Sequence, residues 1–238
     1  MDIIYLRHQT IPKNMKSKLT LFILIFGILT SCEKTTNVDV IVSTNGKLSY
    51  KLIDDSGKGV PNVKVSLYDI LGIYTNYQVL LEERTTDATG VVDFGDLNPK
   101  TYFVRADSAI VNNVGYMVQE HVQVTTGDGK QKETKVSDFS GTLNVTVQSY
   151  NSQRLRNIGI AVVPANRFDY RSDTNYFLRV ADFKVLTDDT GTVILKIPSD
   201  KEYVLYFYNS VTNASYNNYQ YVSVQKGKEF KYNTYIYP

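Results

Sequence analysis

The chain contains two copies of one sequence pattern, and this internal repeat constrains the fold because both copies must form the same kind of unit. In the first part of each copy the matching residues lie 95 positions apart: Gly46-Lys-Leu48 with Gly141-Thr-Leu143, and Val60-Pro-Asn62-Val63 with Leu155-Arg-Asn157-Ile158. In the second part the offset is 101 positions: Thr86-Asp87-Ala-Thr89-Gly90 with Thr187-Asp188-Asp-Thr190-Gly191, and Tyr102 with Tyr203. The second copy is therefore longer between these parts, and the polar stretch 166–175 is expected to form a lengthened loop.

Within each copy the apolar residues alternate with period two, which is typical of strands with one face on a core. Val63, Val65 and Leu67 illustrate the pattern, and helical spacing of comparable length is absent. The runs lie about ten residues apart and are separated by turn-forming segments, as in antiparallel sandwiches. We therefore predict an all-β chain with two tandem antiparallel β-sandwiches, at 43–138 and 139–238, preceded by a linker at 33–42.

The Thr-Asp-x-Thr-Gly segment precedes a strand in both copies. An aspartate at this place can accept hydrogen bonds from its own turn, and the glycine supplies a positive φ. Asp87 and Asp188 are thus interpreted as turn residues. A calcium site is the alternative, although one or two carboxylates per turn fall short of the six to eight oxygens that Ca²⁺ takes.

The order of these motifs resembles the carboxypeptidase regulatory-like domain, a transthyretin-like or Ig-like sandwich. The first copy has the family's Val60-Pro-Asn62-Val63 turn, its Thr-Asp-x-x-Gly turn and a Pro-Lys-Thr-Tyr102 segment, with Lys100 in place of the usual glycine. The second copy departs further, because Arg156 replaces the proline. The resemblance implies a carbohydrate-binding-like fold that serves as a non-catalytic stalk, spacer or binding accessory.

The start of the chain has the features of a bacterial signal peptide. A basic region at Met15-Lys-Ser-Lys precedes an apolar run at 19–29, which is too short for a comfortable transmembrane helix. The run ends in Leu-Thr-Ser-Cys32, which resembles a lipobox, so 1–32 is expected to be a lipoprotein signal peptide with Met15 as its true start. Lipidated Cys32 would anchor the protein to a membrane of the cell envelope. Glu33 permits passage to the outer membrane by resemblance to lipoprotein sorting rules, with the periplasmic and cell-surface sides both open.

The charge balance argues against nucleic acid as a partner. The whole chain has a net charge of +2, but after Cys32 there remain 22 basic and 23 acidic side chains. The basic excess that neutralises phosphates is therefore missing from the expected mature chain.

The residue inventory also argues against catalysis. Cys32 is the only cysteine, and its expected lipidation leaves no free thiol for catalysis. His121 is the only histidine after the signal segment, which excludes multi-histidine metal sites in the expected mature chain. We expect no cofactor and no catalytic residues, and interpret His121 as a strand surface residue. A hydrolase with an unrecognised carboxylate pair is the third hypothesis, although the adjacent Glu82 and Glu83 would face opposite sides of a strand.

Nine of the 19 tyrosines fall between Tyr203 and Tyr237. Tyrosine offers a rigid apolar ring with a polar tip, which suits interfaces and sugar stacking, and we predict a contact patch of Tyr216, Tyr219 and Tyr221. The alternative is that these rings stabilise exposed sheet faces. The leading hypothesis is an envelope-anchored structural or interaction module with an unidentified protein or glycan partner, and the second is a carbohydrate-binding accessory lipoprotein.

A short motif suggests one modification. Asp-Ser108-Ala resembles the acceptor for O-glycosylation of exported proteins in some Gram-negative bacteria, so Ser108 is a candidate glycosylation site.

Overall fold

The computed structural model describes residues 44–70, 78–127 and 129–237, and strands dominate this part of the chain. Fourteen strands form four sheets among the described residues, so the predicted all-β class with tandem sandwiches is confirmed. The expected signal peptide with Cys32 and the 33–42 linker lie outside the described residues. The limits proposed for the four segments stay predictions.

The first seven strands form two sheets with a core between them. One sheet has the order β4-β1-β7 and the other has the order β3-β2-β5-β6. Leu48, Leu67 and Val104 are fully buried in the core. The strands are β1 Gly46–Ile53, β2 Lys64–Ile70, β3 Gln78–Thr85, β4 Val91–Leu97, β5 Thr101–Val111, β6 Val114–Gln123 and β7 Gly129–Lys135.

The last seven strands repeat the same arrangement. Their sheets have the orders β11-β8-β14 and β10-β9-β12-β13, which are the first two orders shifted by seven strands. The repeated sequence pattern therefore encodes a repeated topology. The strands are β8 Ser140–Gln148, β9 Ile158–Pro164, β10 Phe183–Leu186, β11 Thr192–Pro198, β12 Glu202–Asn209, β13 Ser215–Ser223 and β14 Glu229–Tyr235.

Each sandwich contains one parallel strand pair, which the sequence did not predict. The first and last strands of each unit pair in parallel: β1 with β7, from Lys47 opposite Gly129 to Ile53 opposite Lys135, and β8 with β14. The other strand pairs are antiparallel. Parallel strands need a long connection, and here the remainder of the sandwich supplies it.

A buried threonine explains why the turn motif recurs in both copies. The hydroxyl of Thr86 donates to the carbonyl of Val60 and accepts from the N–H of Val63, both at 2.9 Å. Thr187 makes the same two bonds in the second copy, to the carbonyl of Leu155 and from the N–H of Ile158. The threonine thus satisfies backbone groups in the turn that leads into the second strand of each unit.

The residues around this threonine are fixed by backbone geometry. Asn62 and Asn157 have φ of 57° and 59°, a left-handed conformation that asparagine tolerates better than most residues. Gly90 has a φ of 79°, and a Cβ there would lie 2.4 Å from the carbonyl oxygen of Leu52. The repeat therefore keeps asparagine and glycine because other side chains would be strained or would clash.

Asp87 and Asp188 lie where the turn interpretation placed them. One carboxylate oxygen of Asp87 accepts from the N–H groups of Thr89 and Val91 at 2.8 and 2.9 Å. Asp188 accepts from Thr190 and Thr192 at 2.9 Å in the same way. The pKa of each carboxyl is lowered by these hydrogen bonds, led by the Val91 N–H for Asp87 and the Thr190 hydroxyl for Asp188.

Candidate functional site: an aromatic groove on the second sandwich

The longer second copy forms a short helix that the sequence did not predict. After β9 the chain makes a 3₁₀ turn at Ala165–Arg167 and then α1 at Thr174–Val180, with Asp173 as its N-cap. The Asp173 carboxylate accepts from the N–H of Tyr176 at 2.8 Å. The predicted loop at 166–175 therefore ends in a helix, which is only seven residues long and leaves no sustained periodic pattern.

This helix covers the outer face of the β10-β9-β12-β13 sheet. Phe177 of α1 is buried against that face, together with Ala161, Val163, Tyr206 and Tyr208. The ring of Tyr208 lies across the backbone of Gly159, where a Cβ would be 2.3 Å from the Tyr208 Cζ. The second sandwich therefore has an additional hydrophobic layer outside its central core.

The segment that follows β9, from the 3₁₀ turn at Ala165–Arg167 to the end of α1, leaves an open groove between itself and β13. The groove has a volume of about 310 Å³, at the lower end of the range for small-molecule sites. Its residues come from the segment after β9, from β12 and from β13: Phe168, Tyr170, Ser172, Asp173, Thr174, Phe177, Tyr206, Ser215, Asn217 and Tyr219.

The floor of the groove is a packed aromatic cluster. Phe168 stacks on Phe177 with the ring centroids 4.9 Å apart, and Phe177 contacts Tyr206 at 4.5 Å. The hydroxyls of Thr174 and Tyr206 share a hydrogen bond of 2.8 Å, so these buried polar atoms are satisfied. Such a floor holds the groove in one shape, because its side chains are fixed by packing on several sides.

The rim of the groove exposes two tyrosine rings to solvent. Tyr219 is 51% exposed and rests on Phe168 at 5.3 Å. Tyr170 is 70% exposed, and the Arg171 guanidinium lies 5.2 Å from its ring centroid while donating to its hydroxyl. The rim thus offers the rings of Tyr170 and Tyr219 to a ligand, and Phe168 of the floor supports the Tyr219 ring.

The structure brings two of the three predicted patch residues together. Tyr219 and Tyr221 lie on the outer face of β13, and Phe168 contacts both rings. Tyr216 lies on the opposite face, where it packs against the central core and its hydroxyl accepts from Asn209 at 3.3 Å. Strand alternation accounts for this, since Tyr216 has the parity of buried Val222 and not that of Tyr219.

Phe168 and Tyr170 are functional candidates that the sequence analysis missed. Both lie in the stretch that was expected to be a polar loop. The signal that could have found them is the pair of aromatic residues within an insertion that only the second copy carries.

A cluster of polar side chains surrounds Asp182, whose side chain is 1% exposed. Its carboxylate accepts from Lys201 at 3.0 Å, Tyr203 at 3.1 Å and Arg167 at 3.3 Å. Lys201 also donates to the carbonyl of Gly115 in the first sandwich at 3.2 Å. Burial and the Asp182 charge raise the pKa of the Tyr203 hydroxyl, which keeps it neutral as a donor. A buried carboxylate with three donors is a satisfied structural group.

Ser108 lies on an exposed bulge of β5. The register with β6 shifts between Ala106 and Ala109, and Ser108 has a φ of 59°. It lines an open cavity of about 410 Å³ together with Arg105 and Lys201. The bulge therefore presents the predicted acceptor hydroxyl at the surface.

The remaining sequence candidates are separate from the groove. His121 is exposed on β6 and packs against Phe103 at 5.4 Å. Glu82 pairs with Arg84 at 2.6 Å, and Glu83 pairs with Lys64 at 2.9 Å. Across the described ranges no group of three or more His, Cys, Asp or Glu side chains could hold a metal ion, and no helix there is long and apolar enough to cross a membrane.

Comparisons with known proteins give low similarities. No family model and no curated protein matches the chain. The solved structures that match include the Bacillus anthracis TIE protein, at 16% identity and a TM-score of 0.38 over 81% of this chain and 34% of that one. The minor pilin GBS52 of Streptococcus agalactiae has 14% identity and a TM-score of 0.38, over 80% of this chain and 95% of that one. The shaft pilin SpaA of Lactobacillus rhamnosus GG has 11% identity and a TM-score of 0.31, over 82% of this chain and 100% of that one. At these values the matches carry no argument about function.

Proposed function

We propose that this chain is a non-catalytic binding protein of the bacterial cell envelope, tethered through Cys32, which offers the aromatic groove to a partner. The observation that carries the proposal is the groove itself. The second copy is about six residues longer than the first between its matching parts, and its segment after β9 builds a packed floor next to the exposed rings of Tyr170 and Tyr219. Exposed tyrosines on a rigid support are typical of binding surfaces, because little side-chain entropy is lost on contact.

The chemistry of the groove supports binding over catalysis. Among the described residues that line it, Asp173 is the only acid, and histidine, cysteine and lysine are absent. Asp173 is also occupied as the helix N-cap. Hydrolysis of a glycosidic bond needs two carboxyl groups across the substrate, so this residue set fits a binding site better than a glycosidase site.

The lipobox-like Cys32 supports the proposed location. Each buried methylene of an acyl chain contributes about 0.8 kcal/mol, and more than one chain gives stable attachment. The protein would then lie at the outer membrane, on its periplasmic or its outer side. Metabolic labelling with a palmitate analogue should mark the wild-type chain and leave Cys32→Ser unmarked; an unmarked wild type would remove the tether from the proposal.

The binding role can be tested in cells with the full chain. A photoreactive phenylalanine analogue in place of Ser172, on the groove wall, should give a discrete cross-linked adduct, and the same analogue in place of exposed Thr212 should not. Tyr219→Ala should remove the adduct, because it deletes the exposed ring of the rim.

Tyr235→Ala is the matched control for this experiment. Tyr235 is 49% exposed, close to the value for Tyr219, and lies on β14 of the same sandwich away from the groove. The adduct should persist in this variant. An adduct that survives Tyr219→Ala, or no adduct at Ser172, would contradict the proposed role of the groove.

A further inference from the structure

Both walls of the groove combine a tyrosine ring with short polar side chains. Ser215, Asn217 and Tyr219 alternate along the outer face of β13, and Tyr170, Ser172 and Asp173 line the opposite side. From this arrangement, and resting on the proposed function above, we infer that the groove binds a neutral pyranose ring of a glycan. A pyranose has an apolar C–H face that packs on an aromatic ring and hydroxyl groups at its edge that reach polar side chains.

The polar groups of the groove have hydrogen-bonding capacity for such hydroxyls. Neither the carboxamide of Asn217 nor the hydroxyl of Tyr219 makes a hydrogen bond to another residue in the described part of the chain. Asp173 uses one carboxylate oxygen for the Tyr176 N–H and retains the second. An amide, a phenol and a carboxylate together supply donors and acceptors, which is what a ring with several hydroxyls requires.

The charge of the groove disfavours an anionic ligand. Asp173 is the only ionised side chain among the lining residues, so an anionic sugar would meet a like charge. The neighbouring Arg171 is engaged with the ring and the hydroxyl of Tyr170.

The geometry of β13 disfavours an extended peptide as the ligand. A peptide would add to the free edge of β13 through a continuous ladder of main-chain hydrogen bonds. Beside the groove that ladder is interrupted, because Asn217 has a φ of 53° and the register with β12 shifts between Tyr206 and Tyr208. The volume of about 310 Å³ suits one or two sugar rings rather than a folded partner.

The inference can be tested by saturation-transfer NMR and calorimetry on the full chain in detergent. The probes are methyl hexopyranosides, N-acetylglucosamine, α- and β-linked hexose disaccharides and, as the charged comparator, glucuronic acid. We expect a neutral pyranoside to bind, with saturation strongest on one face of its ring, and glucuronic acid to bind more weakly.

Three substitutions locate the binding in the groove. Tyr219→Ala should weaken the association by about 10-fold, which corresponds to about 1.4 kcal/mol, because it removes the aromatic ring on which the sugar stacks. Tyr219→Phe should retain most of it because the ring remains. Asp173→Asn should reduce it several-fold while keeping the helix cap, because asparagine caps as well as aspartate.

The outcomes separate this inference from the proposed function. Tyr235→Ala should bind the sugar like the wild type, and unchanged binding in Tyr219→Ala would overturn the inference. If no sugar binds while the Ser172 adduct still depends on Tyr219, the groove serves a protein partner, and the glycan inference fails while the proposed function stands. If neither sugar binding nor formation of the Ser172 adduct depends on Tyr219, the glycan inference and the proposed function both fail.

Discussion

Removing the Thr86 hydroxyl should selectively destabilise the first sandwich. Thr86→Val keeps the shape of the side chain but leaves the N–H of Val63 and the carbonyl of Val60 without their hydroxyl partner in a buried site, since Thr86 is only 2% exposed. Each unsatisfied buried group costs about 1–3 kcal/mol and two such groups are left, so we expect the free energy of unfolding to fall by about 2–6 kcal/mol. This is a large part of the roughly 5–15 kcal/mol that stabilises a typical domain.

Urea unfolding followed by circular dichroism measures this loss, and hydrogen exchange assigns it to one sandwich. With a slope of about 2 kcal/mol per molar urea, the midpoint of unfolding should fall by about 1–3 M. Thr187→Val should produce the same loss in the second sandwich because its two hydrogen bonds are equivalent. Thr85→Val, at an exposed position on β3, is the control, and its free energy of unfolding should stay within about 0.5 kcal/mol of the wild-type value. If Thr86→Val matched this control, the threonine would have no such role.

Three further changes have defined outcomes. Gly159→Ala should lower the free energy of unfolding by about 1–3 kcal/mol through overpacking against the tyrosine ring, whereas Gly129→Ala, which has open space, should change it little; equal effects would contradict the packing argument. The lowered pKa of Asp87 means that its contribution to stability is present above the unfolded pKa and is lost as the pH falls through the folded value. When the pH is lowered below about 4, the free energy of unfolding measured by urea titration should therefore fall less for Asp87→Asn than for the wild type. Identical pH profiles of the two proteins would refute this. Mass spectrometry of the native protein should find a glycan on Ser108 that is missing in Ser108→Ala; an unmodified Ser108 would end that prediction.

The strands and turns could be predicted because their signals are local. Alternating apolar residues identify a strand facing a core, and the recurring Thr-Asp-x-Thr-Gly segment identifies its turn. The internal repeat then indicated that both halves share one topology. The parallel pairing of β1 with β7 could not be predicted in this way, since no residue in either strand specifies a neighbour that lies far along the chain.

The groove was predicted only in part, because it depends on tertiary packing. Tyr219 and Tyr221 could be placed on one face by alternation, and the same rule applied strictly would have removed Tyr216 from the patch. The aromatic floor depends on α1, whose seven residues are too few for a clear helical pattern. Phe168 becomes important only once that helix brings it over β13.

The parallel pairing of the first and last strands determines how each sandwich bears a mechanical load. Because β1 and β7 run in the same direction, as do β8 and β14, the chain enters a unit at one end of the sheet and leaves it at the other. Tension applied between the two termini of a unit therefore pulls the paired strands past each other, and their hydrogen bonds must break together instead of one after another. In a protein held at its N-terminal end and bound to a partner through the groove of the second sandwich, the load would cross the first sandwich between its two termini, and the β1–β7 pair would resist extension.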